Sequence, residues 1–371
     1  MGSDRVFWAA AIIYIAAAVV SKAVYSSLLP GPAPGPLAYS LLFLGVMRGS
    51  YLLAPRIDPR FKLGTYGALL VTIMVLSLGP EALAILASLG IIALFLIRRP
   101  APARTALHLS LAITGILLSA VPIFMGAIPL AHPELRYSSY RVLYLAAGYL
   151  IVAAISIRAD FRLFLIGEVI ALVSTFRTTG LAVALAYFLK LLQRGRPRTW
   201  GIKRILALSV ALSVIAGVFL ARYLATVNTY SRWELGFLET LLYRPGATYT
   251  VYERLFDLGM PWGKGWILLR TDPKMFVGAL FGRDVGYTYT LFGQPVYDFG
   301  VVGLAEAVIL GAALRDSMTM EEAKILSVVL LTLAIPIGLD AFFMSGIVYL
   351  ALLSTWDKLS RETTATQKRP S

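Results

Sequence analysis

The stretch ALHLSLAITGILLSAVPIFMGAI, residues 106–128, decides the fold class of this chain. It contains no Asp, Glu, Lys or Arg, and a helix needs roughly 20 apolar residues to cross about 30 Å of hydrocarbon. Similar stretches recur along nearly the whole sequence, and Pro- and Gly-rich joints that break helices separate them. The predicted spans are 6–27, 37–54, 64–79, 81–97, 106–128, 138–157, 161–176, 178–193, 204–223, 296–314, 322–338 and 340–356.

These spans predict an all-α polytopic membrane protein with about twelve transmembrane helices. Residues 1–223 are predicted to form an N-terminal transmembrane bundle of about nine helices. Residues 224–295 are the only long loop, and residues 296–359 hold the C-terminal transmembrane helices. Residues 360–371 are polar and are predicted to be a disordered cytoplasmic tail.

The composition excludes several classes of protein and site. With 58% hydrophobic and 15% charged residues, the chain is neither a soluble globule nor a disordered chain. The absence of cysteine excludes disulfides and thiolate catalysis. Because His108 and His132 are the only histidines, a histidine-rich metal centre is excluded as well. We therefore expect neither a metal nor a cofactor.

The net charge of +14 is explained by topology rather than by nucleic acid. Cytoplasmic loops of membrane proteins collect Lys and Arg, and a cytoplasmic N-terminus places most of the 34 basic residues on that side. The short outer loops then hold only Arg136, Arg141 and the boundary residue Arg177. This alternation predicts a multi-pass protein of the plasma (inner) membrane with both termini in the cytoplasm.

The same topology places the long loop, residues 224–295, outside the cell. The loop is basic and rich in Trp and Tyr, and segments 234–242, 248–258 and 273–281 are predicted to be short amphipathic helices on the membrane face. Arginines pair with phosphate, and aromatic faces suit sugar rings. An anionic substrate with a lipid tail and a sugar head would fit this surface. Alternatively, these residues only anchor the loop among lipid headgroups.

Two familiar patterns in this region carry no function by themselves. Asp298-Phe299-Gly300 spells the magnesium motif of kinases, but it stands at the start of a membrane helix without the other kinase signatures. The glycine-rich run Gly259–Gly265 has the wrong spacing for a phosphate-binding P-loop.

Two other segments resemble a known family. Thr290–Gly303, TLFGQPVYDFGVVG, resembles the end of the large outer loop in O-antigen polymerases, also called oligosaccharide repeat unit polymerases. Ser174–Leu181, STFRTTGL, resembles the Ser-Arg-Thr-Gly stretch that lies between two helices ahead of that loop in the same family. Their order, spacing and predicted side of the membrane all agree with the family pattern.

The resemblance implies a glycosyltransferase of the C type (GT-C) that needs neither metal nor nucleotide sugar. Its donor and acceptor would be oligosaccharide repeats on polyprenyl pyrophosphate or phosphate at the outer leaflet, among membrane lipids. A chain-length regulator or a flippase would be possible partners. An acceptor hydroxyl would attack the anomeric carbon of the donor, and the lipid (pyro)phosphate would leave.

Fixed cations would stabilise the charge that grows on this leaving group. Arg177 is the first choice for that role, although an arginine at a helix end can also simply reach towards the headgroups. Carboxylates that could take the acceptor proton are Glu253, Asp257 and Asp298, the last of which could equally be a helix cap. Residues expected to bind substrate are Arg244, Arg254, Arg270, Arg283, Tyr297 and Gln294.

Glu168 lies in the middle of a predicted span, where an ionisable group is costly and often functional. We expect it to form a structural pair with Arg48. Among rival functions, an O-antigen ligase shares the layout, but ligases carry a histidine late in the outer loop and this loop has none. A transporter or flippase of lipid-linked sugars would show inverted repeats, which the sequence lacks. A scaffold without catalytic activity stays open.

Overall fold

The computed structural model describes residues 3–78, 101–194 and 234–367, except 133, 136 and 137, together with individual residues between 213 and 227. Within these residues the regular structure is entirely helical. Six helical segments are long and apolar enough to cross a membrane. They are Asp4–Val24, Pro34–Arg56, Pro59–Leu78, Arg104–Phe124, Tyr140–Ile157 and Thr290–Ser317.

The described α-helices are numbered here in chain order. The first seven are α1 (Asp4–Val24), α2 (Pro34–Leu53), α3 (Pro59–Leu78), α4 (Ala101–Phe124), α5 (Tyr140–Ile157), α6 (Phe161–Ser174) and α7 (Arg177–Arg194). The others are α8 (Phe237–Gly259), α9 (Pro273–Leu280), α10 (Thr290–Phe299), α11 (Leu304–Ser317), α12 (Glu321–Ile337) and α13 (Ala341–Gln367). A 3₁₀ turn, Gly300–Gly303, joins α10 to α11.

The chain divides into two compact units. The central unit, residues 98–240, holds α4 to α7 and the first residues of α8. In this unit α5 packs on α4 and α7. Gly148 of α5 allows that approach, because a Cβ there would come within 3.0 Å of the Thr179 methyl group. Gly167 of α6 leaves similar room for Val183 of α7.

The terminal unit, residues 2–97 and 241–371, holds α1 to α3 and α9 to α13 with most of α8. Helix α11 packs along α2, and α13 packs along α3. The approach of α11 to α2 depends on Gly311, because a Cβ there would overlap the Met47 carbonyl group. Helix α8 lies on the N-terminal helices, where its Tyr252 hydroxyl donates to the Pro36 carbonyl oxygen at 2.6 Å.

Several predicted boundaries change in the structure. The predicted span 296–314 begins earlier, at Thr290, and is interrupted at Gly300. The predicted helices 234–242 and 248–258 are one continuous helix, α8, whereas the prediction of a helix at 273–281 is confirmed by α9. The tail predicted to be disordered is helical as far as Gln367. The predicted span 81–97 lies outside the described residues, as does most of 204–223.

Candidate functional site

The motif segment Thr290–Gly303 belongs to the terminal unit. Every residue from Thr290 to Asp298 is buried, although the segment contains polar side chains. Thr290 opens it with a positive φ of 63°, a conformation that L-residues seldom adopt. Buried polar groups must find hydrogen-bond partners, and the partners of this segment define the candidate site.

Asp298 fastens an irregular loop to this segment. Its carboxylate accepts hydrogen bonds from the backbone amides of Ile267 at 2.6 Å and Leu268 at 2.9 Å. It also accepts from the Gln294 side-chain amide, one helical turn earlier, at 3.0 Å. Hydrogen bonds to a charged acceptor are the strong ones, so Asp298 holds the loop between α8 and α9 against α10.

Gln294 connects Asp298 to a second carboxylate that the sequence analysis missed. The same amide nitrogen donates to Glu306 Oε1 on α11 at 3.0 Å. The second oxygen of Glu306 and the carbonyl oxygen of Gln294 have no partner among the described residues, and both residues are buried. An acidic residue within an apolar span was the available signal, the same one that singled out Glu168.

Glycines bring the loop and the motif into backbone contact. A Cβ at Gly259, Gly263 or Gly300 would come within 3.0 Å of main-chain atoms of the opposite segment. The Lys264 amide donates to the Tyr297 carbonyl at 2.8 Å, and the Val301 amide donates to the Pro261 carbonyl at 2.9 Å. The run Gly259–Gly265 is therefore rich in glycine because two backbones meet there. We call this contact the glycine seam.

Two of the predicted arginines lie on the aromatic surface beside the seam. Arg254 of α8 stands over the Phe281 ring at 5.6 Å, and Arg270 stands over the Phe276 ring at 4.5 Å. Both rings pack against one apolar cluster, which also contains Tyr297. Phe276 and Tyr297 have their ring centroids 6.2 Å apart. The structure thus brings together Arg254, Arg270 and Tyr297.

The other two predicted arginines differ in their placement: Arg283 is two residues beyond Phe281, the ring under Arg254, whereas Arg244 stands apart from that pair. Arg244 precedes Arg254 by ten residues on α8, which is roughly 15 Å along a helix axis. Burial raises the pKa of the neighbouring Tyr243 hydroxyl, and the positive charge of Arg244 partly lowers it again. Arg283 is exposed just after α9.

Glu253 occupies a structural position. Its carboxylate forms a buried ion pair with Lys22 of α1, and its other oxygen accepts from the Ala33 amide at 3.0 Å, at the start of α2. Burial raises the pKa of the adjacent Tyr249 hydroxyl to about 12, so the Lys22 ammonium group above its ring faces a neutral phenol. Asp257, one turn further along α8, is exposed.

Arg177 belongs to the central unit. It begins α7 directly after Thr175, which has a positive φ of 57°, and its half-buried side chain reaches over the Phe219 ring at 5.5 Å. Three residues later, Gly180 gives space to Glu168 of α6, whose carboxylate would lie 3.1 Å from a Cβ there. The motif around Arg177 therefore lies beside a buried carboxylate.

The predicted pair of Glu168 with Arg48 joins residues of the two units and stays a prediction. Glu168 is fully buried, and neither of its oxygens has a hydrogen-bond partner among the described residues. Arg48 stacks on Trp8 and Tyr51, with distances of 5.3 Å and 5.0 Å to the ring centroids. Aromatic stacking competes with ion pairing for an arginine, and the hydropathy pattern does not distinguish the two.

The histidines have ordinary surroundings. His108 is buried and its Nδ1 lies 2.9 Å from the Ala154 carbonyl oxygen. His132 is largely exposed and lies 3.6 Å from Glu134. The described residues contain no group of three or more His, Cys, Asp or Glu side chains that could hold a metal ion.

Comparison with known proteins agrees with the two motifs. The sequence model of a family described as "Putative O-antigen polymerase" matches residues 37–339, which include both of them. An uncharacterized protein of Methanocaldococcus jannaschii is 28% identical over 205 residues, covering 54% of this chain and 50% of that protein. The chain thus matches about half the length of this curated relative. No solved structure matches the chain.

Proposed function

The chain belongs to the O-antigen polymerase family, and on that premise we propose that it joins lipid-linked oligosaccharide repeat units into longer chains at the outer face of the membrane. The observation that carries this proposal is the match over residues 37–339, which takes in the Arg177 motif, the long loop and the Thr290–Gly303 motif. The donor and the acceptor are oligosaccharides on polyprenyl pyrophosphate or phosphate.

The reaction is a glycosyl transfer. An acceptor hydroxyl attacks the anomeric carbon of the donor sugar and forms the new C–O bond. The bond between that carbon and the phosphate oxygen breaks, and the lipid (pyro)phosphate leaves with the electron pair. The hydroxyl proton passes to a base. The barrier falls most when fixed positive charge faces the leaving group, because negative charge grows there in the transition state.

We assign the leaving-group role to Arg177. Its guanidinium group is held over the Phe219 ring, and the preceding left-handed Thr175 fixes where α7 begins. A group held in place before the reaction stabilises developing charge without the cost of reorganisation. The match of Arg177 to the family's Ser-Arg-Thr-Gly stretch supports this assignment.

We assign substrate binding to the surface that carries Arg254, Arg270 and Tyr297. The two exposed guanidinium groups stack on aromatic rings. The guanidinium groups can donate hydrogen bonds to phosphate, and the aromatic rings of this surface offer flat faces for sugar rings. Arg283, exposed two residues beyond Phe281, lies beside this surface. Arg244 and Gln294 are weaker candidates, because Arg244 stands apart along α8 and Gln294 is fully buried.

We assign positioning roles to Asp298 and Glu253 rather than the role of base. Asp298 accepts three hydrogen bonds and Glu253 is held by Lys22 and the Ala33 amide. A base needs a free lone pair that can reach the acceptor hydroxyl. Of the three predicted carboxylates, Asp257 is the exposed one.

The test is an elongation assay with purified protein and synthetic lipid-linked repeats, read as chain length on a gel or by mass spectrometry. Wild-type protein should produce a ladder of longer lipid-linked chains. Arg177→Ala should abolish the ladder while leaving the melting temperature unchanged. Arg162→Ala, an exposed arginine at the start of α6, is the matched control and should elongate normally.

Other outcomes separate the rival functions. Transfer of glycan only to an acceptor that is not lipid-linked would indicate a ligase, and movement of lipid between leaflets without any product would indicate a flippase. Normal elongation by Arg177→Ala would remove that residue from the site.

A further inference from the structure

A groove unrelated to the glycine seam opens between α1 and α2 of the terminal unit. It encloses about 790 Å³. One face of α1 lines it with Arg5, Trp8 and Ile12, at the spacing i, i+3 and i+7 that places side chains on one side of a helix. We call it the α1–α2 groove.

The opposite wall of the α1–α2 groove is one face of α2. Leu41, Gly45, Arg48 and Leu52 follow each other at intervals of three or four residues and all line the cavity. The groove is open at Gly45, where a Cβ built on the backbone meets no atom within 4 Å. Arg315, near the end of α11, completes the wall.

One end of the groove carries unbalanced positive charge. Arg5, Arg48 and Arg315 line it beside a single carboxylate, Asp4. Arg315 donates to the Tyr51 hydroxyl at 3.4 Å, and that hydroxyl donates to Asp4 at 3.3 Å. Within the described part of the chain, none of the three arginines forms an ion pair with a carboxylate.

The three arginines lie within or near the ends of candidate membrane spans, where an unbalanced charge calls for an explanation. Arg48 lies inside the candidate span Pro34–Arg56, and Arg5 and Arg315 lie near ends of two other candidate spans. A charged side chain at membrane depth is costly unless it meets an opposite charge or water. Stacking on Trp8 and Tyr51 holds the Arg48 guanidinium at the groove, so its donors face the cavity end.

The rest of the groove is apolar and open to its surroundings. Ile12, Leu41 and Leu52 are each about half exposed, at 54%, 48% and 60%. In a chain that spans a membrane, such side chains face lipid tails. The groove thus presents fixed cations at one end and an apolar channel beside them, which are the two halves of an anionic lipid.

We propose that the α1–α2 groove binds the phosphate group of an anionic membrane lipid, with its hydrocarbon chain along Ile12 and Leu41. The guanidinium forks of Arg48 and Arg315 grip the phosphate oxygens, and Trp8 and Tyr51 keep those forks in place.

This site is separate from the one proposed for the reaction. Arg315 follows Glu306 of the buried polar network by nine residues on α11, or roughly 14 Å along the axis. The proposal does not depend on polymerase activity, because it concerns a resident lipid rather than a reacting one.

Native mass spectrometry of the full chain in detergent tests the proposal. The probes are phosphatidylglycerol, neutral phosphatidylcholine and inorganic phosphate as a competitor. We expect phosphatidylglycerol to bind more tightly than phosphatidylcholine and to resist displacement by millimolar inorganic phosphate. R48Q should weaken its binding about tenfold or more, since it removes charge-assisted hydrogen bonds to the phosphate and tenfold corresponds to about 1.4 kcal/mol.

Two further variants keep the test decisive. G45L should weaken binding by filling the groove without removing a charge, and a Cβ at Gly45 meets no atom within 4 Å. Its melting temperature, compared with that of the wild type, checks that the fold is kept. R60Q removes an exposed arginine at the start of α3, outside the groove, and should bind as wild type does. Unchanged binding in both R48Q and G45L would overturn the proposal. Equal affinity for phosphatidylcholine, or easy displacement by inorganic phosphate, would overturn it as well.

Discussion

At the scale of single residues, the Asp298 carboxylate accepts three hydrogen bonds that hold a loop against α10. The sequence places Asp298 correctly in the segment that resembles the family. Its partners, Ile267 and Leu268, lie some thirty residues earlier in an irregular loop, and no periodicity in the sequence points to them. Glu306 stood out in the sequence as an acidic residue within an apolar span, but only the folded chain shows that Gln294 joins it to Asp298.

Asp298→Asn tests the structural role. The asparagine amide group would face donors where a carboxylate now accepts them, and a buried donor without a partner is costly. We expect destabilisation of about 2–3 kcal/mol, or a fall in melting temperature of several degrees in detergent, with faster proteolysis between α8 and α9. Differential scanning fluorimetry and limited trypsin digestion measure these effects.

Asp257→Asn is the control, because Asp257 is exposed on α8 and its substitution should leave the melting temperature unchanged. If Asp298→Asn kept full stability but lost elongation, Asp298 would belong to the chemistry after all.

The Lys22–Glu253 pair is a second structural use of a residue predicted to be catalytic. Removing one partner leaves an uncompensated buried charge, so Lys22→Met and Glu253→Gln should each destabilise the protein by about 3–5 kcal/mol. The double variant should lose less than the sum of the two, since neither charge then remains. Thermal melting of all four proteins gives the coupling energy.

A matched control for that cycle is the exposed pair of Lys358 and Glu362, 3.9 Å apart on α13. Glu362→Gln should change stability by less than about 1 kcal/mol, as exposed ion pairs contribute little. Strict additivity at Lys22 and Glu253 would contradict the buried coupling.

At the scale of the elements, the glycine seam is a contact of two backbones that only glycine permits. Gly263 has a positive φ of 84°, and a Cβ there would strike the Asp298 main chain. Gly263→Ala should therefore cost more than about 2 kcal/mol, because it combines backbone strain with overlap. Melting temperature and proteolysis of the loop report the loss.

Two other glycines separate these causes. Gly282 also has a positive φ, of 67°, but has free space around it, so Gly282→Ala should show the backbone cost alone. Gly64 lies in α3 with free space, and Gly64→Ala should be neutral or stabilising by up to about 1 kcal/mol. Equal effects at Gly263 and Gly282 would show that the seam is looser than the structure indicates.

Helix α8 explains why element boundaries were harder to predict than the elements themselves. Pro245 and Gly246 together normally end a helix, so the sequence suggested two short helices. In the fold, Gly246 leaves space for Ser21 of α1, and the Ser21 hydroxyl donates to the Tyr243 carbonyl at 3.1 Å. Tertiary contact thus supports a helix that local sequence rules would break.

At the scale of the whole molecule, apolar length predicted an all-helical membrane protein, which the structure supports. The long stretches at 6–27, 37–54 and 106–128 are single helices of sufficient length. Helices α6 and α12 have only 14 and 17 residues, shorter than the roughly 20 that a crossing needs. Helices of this length either cross the bilayer or stop within the protein. The prediction of about twelve crossings therefore stays a prediction.

The orientation in the membrane can be tested directly because the natural chain has no cysteine. A single introduced cysteine is then the only thiol that a membrane-impermeant maleimide can label. Asp284→Cys lies at an exposed position of the long loop, and Ile57→Cys lies at an exposed position between α2 and α3. Charge distribution predicts that intact cells label the first only, and that inverted vesicles label the second only.

A third position makes the result independent of expression level and of leaky membranes. Leu117 is 60% exposed in the middle of α4, where it should face lipid, so Leu117→Cys should label from neither side until detergent is added. Labelling of Asp284→Cys only from the cytoplasmic side would invert the predicted orientation. The surface of Arg254 and Arg270 would then face the cell interior, and a polymerase that acts on lipid-linked sugars at the outer leaflet could not use it.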